Sequence, residues 1–140
     1  MADCVFCGII EGIEPAEVIF ENEDTIAFLD IASATEGHTL VVPRQHCVDL
    51  FDIGEDRAAS VMRAGIEVAE LLKQALQPEG MNLVHASGSA AWQSVFHFHL
   101  HLIPRYRIDE LMPPWPIGKQ RTSPEALQEI AEKIRAAGLG

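Results

Sequence analysis

Positive charge is scarce in this sequence. Its 140 residues include 10 lysines and arginines against 21 aspartates and glutamates, and the formal net charge is −11 at pH 7. Binding along a nucleic-acid backbone requires clustered lysine and arginine, so that function is not expected. A small phosphate ligand held by backbone amides and a few histidines is compatible with the same composition.

Long apolar runs and signal-peptide features are also absent. No stretch approaches the roughly 20 apolar residues of a membrane-spanning helix, and the N-terminus lacks a basic region followed by an apolar core. The three cysteines, Cys4, Cys7 and Cys47, are odd in number, which argues against a disulfide framework. We therefore expect a protein that does not bind membranes and resides in the reducing cytoplasm.

The order of the predicted elements is typical of an α+β fold. The expected helices are a short one that contains residues 6–13 and ends near Pro15, a long one at about residues 55–77 and a last one from Pro124. The expected strands cover residues 18–20, 25–30, 39–42, 82–85 and 94–103. The strands come as hairpins or around one helix, and do not alternate strictly with helices. This order predicts a mostly antiparallel five-stranded sheet with one long helix and a C-terminal helix.

Apolar spacing predicts which sides of the two longer helices are buried. In the long helix, the expected apolar stripe contains Ala58, Met62, Gly65, Ile66, Ala69, Leu72 and Leu76. In the C-terminal helix, which Ser123 is expected to cap, the expected buried side contains Leu127, Ile130, Ala131 and Ile134. A proline-rich loop is expected at residues 112–116, between these two helices.

Three histidines at two-residue spacing are the most informative feature of the sequence. His97, His99 and His101 alternate with apolar residues, and this is the period of a β-strand. One strand face would therefore carry three imidazoles, which are close to half-protonation near neutral pH. Such a face can bind a metal or act on a phosphoryl group, since imidazole nitrogen is a competent nucleophile. Buried histidines with ordinary hydrogen-bond partners are the alternative.

The sequence HFHLHLIPR at residues 97–105, preceded by QSVF, resembles the signature of the histidine triad (HIT) family of nucleotide hydrolases and transferases. Residues 4–12, 27–31 and 37–43 resemble the opening and the middle strands of the same family. The resemblance covers residues from about Cys4 to Arg105. It implies a homodimer built from a HIT domain at residues 4–107, with residues 108–140 completing the same single domain.

The resemblance also implies a reaction and residues that carry it out. HIT enzymes split a P–N or P–O bond at the α-phosphate of a nucleotide and pass through a nucleotidyl-histidine. The nucleophile corresponds to His99, the phosphate partner to His101, and a further histidine near the site to His38. The implied substrate is a nucleoside phosphoramidate or a dinucleoside polyphosphate, of purine-nucleotide type. A nucleotide-binding HIT module with little turnover is the alternative function.

Several residues match positions that bind the substrate in the family. Asp30 corresponds to the acid that holds the ribose hydroxyls, and Gln93 and Ser94 lie in the signature beside the phosphate. The expected slot for the base contains Phe6, Ile9, Phe28, Leu29 and Ile31. Ordinary core packing is the alternative for the residues of this slot, because the walls of a pocket are also edges of a core.

The loop before the histidines departs from the family pattern. The family usually has Asn-Gly-x-x-Ala-Gly-Gln there, whereas this chain has Ser87-Gly-Ser-Ala-Ala-Trp92-Gln93. Ser87 stands where an amide touches the phosphate side, and Trp92 stands where glycine lets the backbone approach the phosphate. Substrate choice and rate are the properties that these two replacements would change.

A zinc site is also expected by resemblance. Cys4 and Cys7 form a CxxC pair, which is a weak signal for a metal site by itself. Some bacterial HIT proteins bind zinc through two cysteines, a histidine after the third strand and the first triad histidine, and these positions correspond to Cys4, Cys7, His46 and His97. With four protein ligands the zinc would be structural. Free cysteines are one alternative, and a zinc-dependent hydrolase, which needs an open metal position, is another.

Overall fold

The structure of the chain, a computed structural model, describes residues 3–111, 118 and 121–138. The predicted proline-rich loop at residues 112–116 lies outside this range. The chain divides into two compact units, Met1–Asp109 and Glu110–Gly140. The prediction that the second unit completes the domain of the first stays a prediction.

The described residues of the first unit form a five-stranded antiparallel sheet, two α-helices and one turn of 3-10 helix at Ser89–Ala91. In chain order the elements of both units are α1 (Val5–Ile10), β1 (Val18–Glu21), β2 (Thr25–Leu29), β3 (Thr39–Pro43), α2 (Glu55–Leu76), β4 (Gly80–Val84), β5 (Leu100–Arg105) and α3 (Pro124–Ala136). The strand order in the sheet is β1-β2-β3-β5-β4, and every neighbouring pair is antiparallel. The predicted α+β class and five-stranded sheet are confirmed.

The sheet buries different side chains on its two faces, because successive residues of a strand point in opposite directions. On the face that packs against α2, the core contains Ala27, Val41, Leu100 and Leu102 from the strands. On the other face, Ile26, Phe28, Leu40 and Val42 pack against Phe6 of α1. His101 alternates with Leu100 and Leu102 and therefore lies on the α1 face.

The 22-residue helix α2 covers one face of the sheet. Acidic Glu55 and Asp56 lie in its first turn and basic Lys73 in its last, which suits the helix dipole. Its buried side contains Val61, Ala64, Gly65, Val68 and Leu72. The prediction that Met62 and Ile66 belong to this side is wrong, since they are 44% and 57% exposed. The buried stripe is rotated by one position, toward small and β-branched residues that fit closely against the sheet.

Helix α3 begins as predicted but does not bury its apolar side within its own unit. Ser123 Oγ accepts a hydrogen bond from Ala126 N–H at 3.2 Å, and Pro124 is the first helical residue. Leu127, Ile130 and Ile134 are more than half exposed, so the prediction that they are buried is wrong. Helical spacing identifies the apolar side of a helix, but it does not say what covers it.

Among the described residues, no helix has the length and apolarity that crossing a membrane requires.

Candidate functional site

The three motif histidines do not share one strand. His101 lies in β5, whereas His97 and His99 precede it in irregular backbone. The prediction of a strand over residues 94–103 is therefore wrong in its first half, because the partner strand β4 ends at Val84, directly opposite His101. The alternation of side chains nevertheless continues. Phe98 packs in the core on the α2 side, while the rings of His99 and His101 lie 4.9 Å apart.

His99 is held in one tautomer by its own segment. Its Nδ1 lies 2.7 Å from the carbonyl oxygen of His97. Because a carbonyl oxygen only accepts hydrogen bonds, Nδ1 carries the proton and the lone pair is on Nε2. Burial lowers the pKa of His99 below its ordinary value of 6.5, so the ring is neutral at pH 7. A neutral imidazole with its lone pair on Nε2 is the form that acts as a nucleophile.

A hydrogen-bond chain likewise determines the tautomers of His38 and His101. Ala34 N–H donates to His38 Nδ1 at 3.0 Å, which leaves the His38 proton on Nε2. That Nε2 lies 2.9 Å from His101 Nδ1 and donates to it. His101 therefore carries its own proton on Nε2. Its pKa is lowered to about 4, chiefly by burial and then by the neighbouring histidines, so it is a neutral N–H donor at pH 7.

Asp30 is brought to these histidines by the end of the β2–β3 hairpin. Its backbone N–H donates to the carbonyl of His38 at 2.9 Å. One carboxylate oxygen, Oδ1, accepts from Ala32 N–H at 2.8 Å. The other, Oδ2, lies 3.5 Å from His38 Nε2. The pairing of β2 with β3 therefore places Asp30 beside His38, which in turn contacts His101 from a distant segment of the chain.

A cavity of about 450 Å³ opens on the α1 face of the sheet. The predicted site residues that line it are Phe6, Ile9, Phe28, Leu29, Asp30, Ile31, Ser94, His99 and His101. Phe28 is almost fully buried and Ile31 is 99% exposed, so the walls extend from the core to the protein surface. No lysine or arginine is found among the described lining residues. The volume is within the range of small-ligand pockets.

Two predicted substrate-binding residues do not line this cavity. The Gln93 amide is buried, and its Nε2 donates to the carbonyls of Val48 at 2.7 Å and Val95 at 3.1 Å. Its Oε1 accepts from Gly88 N–H at 2.7 Å. Ser87 Oγ accepts from Leu50 N–H at 3.0 Å. In this structure the two side chains hold the loop that precedes the histidines.

His85 is a residue of this region that the sequence did not single out. Its Nδ1 lies 3.0 Å from the carbonyl oxygen of His99, and its Nε2 lies 2.6 Å from Ser87 Oγ. Its ring stacks on Phe98, with centroids 4.2 Å apart. The only sequence signal was a histidine at the end of a predicted strand, without the spacing that identifies the triad.

Trp92 has the backbone conformation of a glycine. Its φ is 71°, in the left-handed region that favours glycine, and its side chain is 90% exposed. A residue with a Cβ atom pays roughly 1–2 kcal/mol for this conformation. The chain therefore keeps the sharp turn before the histidines even though a large side chain occupies the position.

Cys4, Cys7, His46 and His97 form a cluster that could hold a metal ion, with their ligand atoms all within 4.8 Å of one another. His97 Nε2 donates to the carbonyl of Pro43 at 2.8 Å, so its Nδ1 lone pair is available to the cluster. This Nδ1 lies 3.4 Å from Cys4 Sγ, 3.6 Å from Cys7 Sγ and 3.1 Å from His46 Nδ1.

The nitrogen–sulfur distances match those of a tetrahedral zinc site, and the nitrogen–nitrogen distance is slightly shorter. Nitrogen and sulfur ligands at about 2.0–2.3 Å from zinc lie roughly 3.3–3.8 Å from one another. Two thiol and two imidazole groups are also a donor set that zinc prefers in proteins. Cys47 is buried elsewhere and does not belong to the cluster. The four predicted ligands are therefore brought together by the fold.

Comparisons with known proteins agree on one family. The model of the HIT domain matches residues 11–108. Protein hit of Bacillus subtilis is 37% identical over 133 residues, which are 94% of this chain and 92% of that protein. A zinc-bound histidine triad family protein from Mycobacterium smegmatis has 34% identity and a TM-score of 0.76, covering 98% and 99% of the two chains. A histidine triad nucleotide-binding protein from Candida albicans has 31% identity and a TM-score of 0.85, with 96% of each chain covered.

The buried neutral state of His101 predicts a pH dependence of stability. Unfolded His101 takes up a proton near pH 6.5, whereas in the folded protein it does so only near pH 4. The unfolded state therefore binds more protons between these values. The contribution of neutral His101 to the free energy of unfolding is fully present above pH 6.5 and is lost as the pH falls toward 4. We expect the free energy of urea unfolding to fall less steeply with decreasing pH over this range for His101→Gln than for the wild type. Equal dependence on pH in the two proteins would contradict the lowered pKa of His101.

Proposed function

Because the chain belongs to the HIT domain family, we propose that it is a nucleotide hydrolase or transferase. It acts at the α-phosphate of a nucleoside phosphoramidate or a dinucleoside polyphosphate, through a covalent nucleotidyl-histidine on His99. The observation that carries this proposal is the lone pair on Nε2 of buried, neutral His99, which lines a cavity shared with His101 and Asp30.

The proposed reaction has two steps. His99 Nε2 attacks the α-phosphorus, the bond from phosphorus to the leaving group breaks, and the leaving group takes up a proton from solvent. A water molecule then attacks the phosphorus and releases a proton to solvent, the bond to Nε2 breaks, and the nucleoside monophosphate leaves with neutral His99 restored. His101 Nε2–H donates to a phosphate oxygen in both steps, because its proton is kept on that nitrogen by His38. Ser94 and backbone N–H groups hold the remaining developing charge.

The nucleoside is held by the rest of the cavity. Asp30 accepts hydrogen bonds from the two ribose hydroxyls. Its carboxylate lines the cavity and is held there by the hydrogen bond from Ala32 N–H. A purine base lies against the apolar walls, where Phe6 and Phe28 are packed edge to face with centroids 5.3 Å apart. Phe28 therefore contributes to the core and to the pocket wall together.

The charge of the cavity favours one of the two substrate classes. Its described lining has two acids, Glu14 and Asp30, and the histidines are neutral at pH 7. Neutral N–H donors can hold the single negative charge of a phosphoramidate. A polyphosphate chain carries several charges and is usually held by lysine, arginine or a metal ion. We therefore expect AMP and GMP phosphoramidates to be turned over faster than diadenosine polyphosphates.

Removal of the nucleophile tests the proposed reaction. His99→Gly is expected to lower turnover of an AMP phosphoramidate by about a thousandfold or more. Mass spectrometry of rapidly quenched wild-type protein is expected to show a nucleotidyl adduct that the variant lacks, and thermal melting verifies that the variant is folded. Turnover by His99→Gly at the wild-type rate would refute the assignment.

A nucleotide-binding module with little turnover is the second candidate function. The observation in its favour is the exposed Trp92 in a left-handed turn beside the site, together with Ser87 held away from the cavity. Calorimetry with AMP, run beside turnover of a model phosphoramidate, separates the two functions. Tight binding of AMP without turnover would favour the module over the enzyme.

We also propose that Cys4, Cys7, His46 and His97 bind one zinc ion with a structural role. Four protein ligands leave no position for water or substrate, so zinc would join the N-terminal segment to the region of the histidines. Binding through thiolates requires reduced cysteines, and the three cysteines are free thiols, which suits a protein of the cytoplasm.

Elemental analysis tests the zinc proposal. Protein purified without a histidine tag is expected to contain one zinc ion per chain, and Cys4→Ser is expected to lose most of it. Cys47→Ser is the matched control and is expected to retain the metal, since Cys47 lies outside the cluster. Wild-type protein without zinc would contradict the proposal. Turnover that survives removal of zinc from a folded sample would exclude a zinc-dependent hydrolase.

We further propose that the protein is a homodimer. The support from this chain is exposed apolar surface on two consecutive elements of the first unit, α2 and β4. Met62 and Ile66 of α2 and Leu83 of β4 are each more than two-fifths exposed. β4 is also an edge strand, whose unpaired backbone groups can join a second sheet.

A further inference from the structure

The backbone carbonyl of the proposed nucleophile is held by a side chain. β5 begins one residue after His99, and the pairing of β4 with β5 ends at Val84 and His101. The peptide that follows His99 therefore lies just beyond the sheet ladder. Its carbonyl oxygen accepts a hydrogen bond from Nδ1 of His85 at 3.0 Å, in place of a strand partner.

The direction of every hydrogen bond around His85 follows from the groups at the two ends. The carbonyl of His99 only accepts, so Nδ1 of His85 carries a proton, and in the neutral form of the ring this is the only ring N–H. At the other end, Leu50 N–H only donates, and it donates to Ser87 Oγ at 3.0 Å. The Ser87 hydroxyl proton is then free to be donated to His85 Nε2, 2.6 Å away. Ser87 thus satisfies the Nε2 lone pair and stabilises the Nδ1–H tautomer that the carbonyl requires.

Packing restrains the His85 ring as well. It stacks on Phe98, the residue between His97 and His99, at a centroid distance of 4.2 Å and an interplanar angle of 23°. Phe98 is itself tied down, since its N–H donates to the carbonyl of Cys47 at 2.7 Å. His85 is not among the residues that line the nucleotide cavity. Its hydrogen bond to the His99 carbonyl is therefore its direct contact with the proposed nucleophile.

We propose that His85, kept in its Nδ1–H tautomer by Ser87, is a positioning residue for the nucleophile His99. This inference rests on the proposed function of His99. The ring of His99 is anchored through Nδ1 to the carbonyl of His97, and its backbone is anchored through its own carbonyl to His85. One anchor on the ring and one on the backbone together restrain the direction of Nε2. Small displacements of a reacting atom have large effects on rate.

The tautomers can be measured without turnover. Long-range ¹H–¹⁵N NMR correlations of the histidine rings are expected to show His85 and His99 as single Nδ1–H tautomers. Ser87→Ala is expected to give a mixture at His85, whereas Ser87→Thr keeps the hydroxyl and the single tautomer. His85→Phe keeps an aromatic ring on Phe98 but has no donor, and it is expected to broaden or double the His99 signals. Wild-type His85 with its proton on Nε2, or an unchanged His99 in His85→Phe, would overturn the proposal.

Kinetics test the consequence for the reaction. For His85→Phe, kcat on an AMP phosphoramidate is expected to fall about tenfold while KM stays within about twofold, because the cavity itself is untouched. Ser87→Ala is expected to lower kcat by a smaller factor. Ser89→Ala is the matched control, an exposed serine of the same loop, and is expected to leave kcat unchanged.

The outcomes separate the two proposals. A fall in kcat for His85→Phe with the same KM supports the positioning role, and a wild-type kcat overturns it. If wild-type protein turns over no phosphoramidate and no dinucleoside polyphosphate, the proposed enzyme function fails. The NMR tautomers of His85 and His99 then decide alone whether His85 positions His99.

Discussion

Fully buried His97 connects the separate parts of this site, because each of its polar groups has a different partner. Its Nε2–H donates to the carbonyl of Pro43 at the end of β3. Its Nδ1 faces the two cysteines and His46. Its own carbonyl accepts the Nδ1–H of His99. A rotation of His97 would therefore disturb the sheet contact, the candidate metal cluster and the tautomer of the candidate nucleophile together.

Burial is the second physical basis of the site. Histidines in water would be partly protonated at neutral pH, but burial lowers the pKa of His38, His99 and His101. Neutral rings can then pass hydrogen bonds in one direction, from Ala34 N–H through His38 to His101. A site built in this way presents N–H donors and a lone pair without fixed positive charge. This agrees with a chain whose net charge is −11.

The sequence predicted more about the composition of the site than about its backbone. The CxxC pair and His46 were assigned to a metal cluster, and the structure brings them to His97. Most of the predicted base slot lines one cavity. The strand expected through His97 and His99 was wrong, because local alternation cannot reveal that β4 ends opposite His101. His85 was missed for the same reason, since its role depends on where that ladder ends.

Family membership, the α+β class and the residue types of the candidate site follow from the sequence by itself, because motif spacing and apolar periodicity are local properties of the chain. Contacts between distant segments decided the rest. The tautomers of His99 and His101 depend on backbone groups of His97 and, through His38, of Ala34. Hydrogen bonds to His85 and Leu50 hold the Ser87 side chain outside the cavity lining, and a local sequence pattern cannot reveal these contacts. Hydrogen-bond direction and burial are properties of the packed structure. Among the six histidines of the chain, they identify His99 as the one that lines the cavity with its lone pair on Nε2.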